Sequence, residues 1–238
     1  MSFKHNILRI IFFTVIFVLM DYRYLYDYRA FDDYNVLSNC IMSTNVGYNN
    51  LFLITGIVVT ALYIAGLNNV FVDSSILVLK YGKEKYYKQN LMRVFIDSLL
   101  MSIEYIGTTV VFCLIFFNTN LLVESGFFIC CLLYTVLVWL YFSIVGFTSY
   151  IVRIFLASKK IYVFVSAAIF FLLAGAKYIS LEISPVYCCA FIDDWFSLGY
   201  FDVWNYALCI IKDVLTIVLL MLTGSWIFTK KDFLYEKT

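Results

Sequence analysis

Apolar residues run along this chain in long unbroken stretches, not in strand-like alternation, and short polar joints separate them. Crossing about 30 Å of hydrocarbon takes roughly 20 apolar residues in a helix, because each residue rises about 1.5 Å and every backbone polar group must be satisfied within the helix. Six segments meet or approach that length: residues 7–20, 51–72, 94–117, 127–151, 161–179 and 206–228. A β-barrel would show alternation every second residue, and these runs do not. The pattern predicts an all-α integral membrane protein, residues 1–238 forming one transmembrane domain of six helices.

The first segment is the shortest, and after a basic start at Lys4 and Arg9 it also has the shape of a signal-peptide core. No small-x-small cleavage site follows. Asp21 to Tyr26 follows instead, bulky and aromatic, which suits an interfacial belt above an uncleaved helix with Arg9 snorkelling. Two joints are longer than a turn requires. Residues 74–82 read as a short interfacial helix, capped by Asp73 or Ser74 and ended by Gly82, with a second helix starting at Lys83. Residues 184–205 form an amphipathic segment in which Trp195, Phe196 and Trp204 alternate with acidic residues; it reads as an ordinary aromatic belt or as an outer gate.

Composition sharpens this picture. With 63% hydrophobic, 20% aromatic and 14% charged residues, the 238-residue chain departs from the soluble average of about 25% charged. A formal net charge of +1 offers no basic field for nucleic acid. The charge matters by position. If the N-terminus is cytoplasmic, thirteen Lys and Arg residues fall on the inner side, at the N-terminus, residues 80–93, residues 153–160 and the C-terminus. Three (Arg23, Arg29 and Lys177) fall outside, and Lys212 sits within the last span. That bias places both termini in the cytoplasm.

Candidate chemistry is sparse. No G-x-x-x-x-G-K-[ST], H-E-x-x-H or G-x-S-x-G run occurs, and His5 is the single imidazole, so the expectation is not an enzyme, with no metal and no cofactor in this chain. The seven Cys lack metal-ligand spacing; a bridge from Cys40 to Cys188 or Cys189 is possible if those loops share an oxidising face. Asp97, Met101, Glu104 and Thr108 fall on one face of the third span. They read as the polar lining of a translocation path or dimer seam, or as a carboxyl satisfied by a neighbouring Ser or Thr. Asp97 and Glu104 could also be paired carboxylates of an intramembrane enzyme. Gly56, Ala61 and Ala65 make a small-residue stripe for close helix packing, within the chain or between two copies.

Six spans with both ends inside, a basic segment between the second and third, and a long outer connection between the fifth and sixth resemble the permease subunits of type-2 ABC exporters. The run from Lys80 to Leu91 is similar to that of small permeases in bacteriocin and lantibiotic export or immunity systems. The resemblance implies a coupling helix in which Ile76, Leu77, Leu79, Lys80 and Tyr81 dock onto a separate cytoplasmic ABC ATPase subunit. That subunit would bind the ATP and Mg. It also implies a second permease subunit, homodimeric or paralogous, in the bacterial cytoplasmic membrane, with a peptide, bacteriocin or antibiotic as cargo. The short stretch before the first span leaves no room for the long elbow helix of larger members. The alternative is a stand-alone membrane immunity protein that binds a bacteriocin.

Overall fold

The computed structural model describes residues 3–25, 34–43, 48–50, 56–71, 78, 81–156, 159–175, 185–193, 195–196 and 201–230, and no strand occurs among them. The main helices are α1 (Phe3–Leu25), α2 (Thr60–Gly66), α3 (Lys83–Phe116), the short α4 (Thr119–Glu124), α5 (Phe127–Phe155), α6 (Lys159–Gly175) and α7 (Val203–Lys230). Helices α3, α5 and α7 are long and apolar enough to cross a membrane; Gly56–Gly66 and Ile161–Leu173 are shorter apolar helices.

Local chemistry sets the ends. Gly82 sits at φ 81°, closes a turn onto the Val78 carbonyl at 2.9 Å, and releases the chain into α3 at Lys83, as its sequence position predicts. Asn118 caps α4 by accepting from the Asn120 amide at 3.0 Å, and Gly126 at φ 68° turns the chain into α5. Asp202 caps α7, accepting from the amides of Trp204 and Asn205 at 2.9 and 3.1 Å. Helix α3 runs unbroken from Lys83 into the apolar segment that starts at residue 94, and in its first turns Glu84 and Lys88 pair across one turn at 2.6 Å while Tyr86 and Tyr87 are buried.

Contacts between helices give their directions. Arg9 meets Asp97, Thr14 meets Glu104 and Phe17 meets Tyr105, a nearly constant offset, so α1 and α3 run parallel. Asn90 meets Tyr150, and Ser98 meets Ser143, so α5 runs against α3. Tyr206 reaches Leu133 and Gly224 abuts Ile151, making α7 parallel to α5. Thr60 bonds Tyr141 while Tyr63 packs on Phe142 and Gly146, which aligns α2 with α5; Tyr162 of α6 reaches back to Asn68. The principal helices therefore alternate in direction. Lys83, Lys85, Lys88, Arg93, Arg153 and Lys230 gather at one end, while Glu124, Asp193 and Asp202 lie at the other.

Helix α5 is the centre: 61% of its most apolar stretch is buried, against 22% for α7, whose outward face is apolar. Polar side chains join it to α3 within the apolar interior. Ser98 and Ser143 share a hydrogen bond of 2.8 Å, Trp139 Nε1 donates to the Phe95 carbonyl at 3.1 Å, and Asn90 donates to the Tyr150 hydroxyl at 3.0 Å. A Cβ at Gly146 would overlap Val94, so α3 and α5 approach there to backbone distance.

Candidate functional site: a carboxylate seam between α1 and α3

The parallel register of α1 and α3 stacks two polar pairs along one seam. Arg9 donates to both carboxylate oxygens of Asp97, Nη1 to Oδ2 at 3.1 Å and Nη2 to Oδ1 at 2.5 Å. Each side chain is 11% exposed, so this fork-to-carboxylate pair is largely shut away from solvent. Arg9 thus does not snorkel. An opposite charge one register step away on the parallel helix satisfies it better than a reach to the chain's end. One step further along, the Thr14 hydroxyl donates to Glu104 Oε1 at 3.1 Å. Glu104 is the satisfied carboxyl of the plainer sequence reading, its partner a threonine of another helix.

Among the described residues no cation pairs with Glu104. Beside it α1 and α3 leave an apolar groove of about 520 Å³, lined by Thr14, Leu19, Glu104, Gly107, Phe112 and Phe116 among others. Thr108 also lines the groove, with its hydroxyl turned to its own helix, donating to the carbonyls of Glu104 and Tyr105. Asp97, Glu104 and Thr108 are therefore on one seam in three different roles. Asp97 holds an ion pair, Glu104 places an acid in the groove, and Thr108 keeps its hydroxyl on the helix backbone.

The remaining sites part company with the sequence reading in several places. Ile76, Leu77, Leu79 and Lys80 lie outside the described residues. Tyr81 is described and exposed, with Lys85 Nζ 5.5 Å from its ring centre. Trp195, Phe196 and Trp204 do not form one gate. Trp195 donates from Nε1 to the Ser125 carbonyl at 3.1 Å and packs so closely on Gly126 that a Cβ there would lie 2.9 Å from its ring. Phe196 is buried, its carbonyl accepting from the Tyr34 hydroxyl at 2.9 Å, while Trp204 points outward, 79% exposed. Trp195 packs its ring on the Ser125–Gly126 turn, and Phe196 sets its ring 6.2 Å from that of Tyr34.

The Cys40 bridge is not made to either partner, since Cys188 and Cys189 are free and buried. The Cys188 thiol donates towards the Cys209 carbonyl at 3.8 Å and Asp213 Oδ1 at 3.6 Å. Its hydrogen bond to Cys209, then burial, then the Asp213 charge push its pKa far above the ordinary thiol range; burial does the same for Cys189. Lys212 sits over the Tyr187 ring at 5.9 Å. Gly56 and Ala61 face α6 across a groove of about 350 Å³ shared with Phe164 and Ala168, so that part of the small-residue stripe packs within the chain.

Two acids lie deeper than their places in the sequence suggest. Asp21, read from the sequence as part of an interfacial belt, is fully buried, and neither carboxylate oxygen has a hydrogen-bond partner among the described residues. Asp213 is fully buried, and its Oδ2 has no hydrogen-bond partner among the described residues. The one signal in the sequence for either was an acid at the rim of an apolar run. Three comparisons bear on the chain's kinship, and no protein-family model, curated protein or solved structure matches it.

Proposed function

We propose that this chain is the membrane-spanning permease subunit of a bacterial ATP-driven exporter, with a peptide, bacteriocin or antibiotic as cargo and ATP hydrolysed by a separate cytoplasmic subunit. Its six spans are α1, the segment containing α2, α3, α5, α6 and α7, with both termini on the cytoplasmic side. The alternating helix directions and the collection of basic residues at one end support that arrangement.

The observation that carries the reading is the continuity of α3. A single 34-residue helix begins just beyond Gly82, at its basic end, and runs without a break through Asp97 to Glu104 and the groove. Its first turns are tied to α7: Lys83 Nζ donates to the Thr229 carbonyl at 3.2 Å, and Tyr86 and Tyr87 stack against Phe228. A push received at residues 74–82 would turn or shift this helix as one body, and the α1–α3 seam would move with it. The chain carries no phosphate-binding loop, so the energy comes from a partner.

The test is co-purification of the full chain from its native membrane, followed by mass spectrometry. An ABC ATPase should be recovered with it, and Leu77→Asp with Leu79→Asp should lose the ATPase while the permease keeps its yield and monodispersity. Recovery of no ATPase, with a bacteriocin bound instead, would establish the immunity-protein reading.

A further inference from the structure

We propose that the α1–α3 groove binds a lipophilic monocation, an elongated molecule with one fixed positive charge at the end of an apolar body. The walls are asymmetric along their length. Glu104, Thr14 and Thr108 line one end, while Leu19, Phe112 and Phe116, with the exposed Tyr22, line the other. From Glu104 to Phe116 the helix rises about 18 Å. The volume of about 520 Å³ falls in the range of small-molecule pockets, roughly 300–1,000 Å³.

Charge selects the occupant. Glu104 is the one carboxyl among the lining residues, and the guanidinium of Arg9 is held by both oxygens of Asp97. The carboxylate accepts one hydrogen bond from a neutral hydroxyl and makes no ion pair among the described residues; the Arg9 charge acts on it only while paired with Asp97. In apolar surroundings an opposite charge is attracted more strongly than in water. An acyl chain or a neutral amphiphile fills the groove and leaves that carboxylate unmatched; an anion is repelled. A cationic head at Glu104 with its tail along Phe112 and Phe116 satisfies both ends. The groove also reaches the α3 backbone at Gly107, where a Cβ would have no atom within 4 Å, so the tail has depth to occupy.

The site does not depend on the exporter reading, since binding requires no ATPase. The measurement is equilibrium binding of radiolabelled decyltrimethylammonium to the full chain in phosphatidylcholine nanodiscs. Saturable binding is expected, competed by the unlabelled amine and not by decanol or decyl sulfate. Glu104→Gln should weaken it at least tenfold, and Gly107→Leu should do so with the carboxylate intact. Monodispersity and thermal midpoint report folding, and Glu104→Asp, which keeps the charge, should retain part of the affinity if either variant folds poorly. Non-saturable partitioning alone, or wild-type affinity in Glu104→Gln, overturns the proposal. It is overturned equally if the wild type takes up no amine while both variants convert a dimer to a monomer, which would put a second copy in the groove. A co-purified phospholipid that the amine does not displace would also overturn it. Loss of ATPase capture leaves this result untouched, and its own failure leaves the exporter reading standing.

Discussion

At the scale of single residues, the Arg9–Asp97 pair has the sharpest energetic consequence. Neutralising one partner leaves the other as an uncompensated charge in a low-dielectric seam, which costs about 3–5 kcal/mol, whereas replacing both by apolar residues removes the desolvation cost together with the attraction. Asp97→Asn should therefore lower unfolding free energy in mixed micelles by about that amount. The double variant Arg9→Met with Asp97→Leu should lose much less, and equal losses in the two would refute an ion pair. A second expectation concerns Cys188 and Cys189. The thiolate is the reactive form, and a folded-state pKa far above the ordinary thiol range keeps both protonated well past neutral pH. Peptide mapping after maleimide treatment from pH 7 to 9 should find both unmodified in the folded chain and labelled once it is dissolved in denaturant.

Glycines distinguish the helix faces at the scale of elements. Gly146 lies where α5 meets α3, and its Cβ would overlap Val94; Gly107 faces open space on the groove side of α3. Gly146→Ala should destabilise by about 1–3 kcal/mol, as overpacking does. Gly107→Ala should be neutral or stabilising by up to about 1 kcal/mol, since alanine gains helix propensity without a clash. Thermal unfolding of the two variants, measured side by side, checks the assignment, and a reversed order would place the α3–α5 contact elsewhere. The start of α3 was legible from Gly82, because capping is settled within a few residues of the chain, whereas α7, capped by Asp202, starts three residues before the span read from 206. Hydropathy alone registers only the apolar part of α3; its first turns are held by Tyr86 and Tyr87 packing on α7.

For the whole molecule, the proposed topology sets Gln89 and Asn120, both exposed, on opposite sides of the membrane. With Cys40 replaced by Ser and the other six cysteines buried, an impermeant maleimide added to intact cells should label Asn120→Cys and not Gln89→Cys until the cells are opened. Labelling of both from outside would break the proposed orientation. Helical character, the approximate stretches that become helices and the crowding of basic residues into particular joints are properties of neighbours along the chain. Apolar backbone must bond to itself locally, so one dimension of information suffices for them. Which acid meets which base is of another kind. Arg9 finds Asp97 88 positions away because α1 and α3 lie parallel in register, and Trp195 goes inside because the Ser125–Gly126 turn presents a surface for its ring. The burial of Asp21 and the groove beside Glu104 likewise exist only once helices distant in sequence have packed, since each is made of surfaces that no single segment carries.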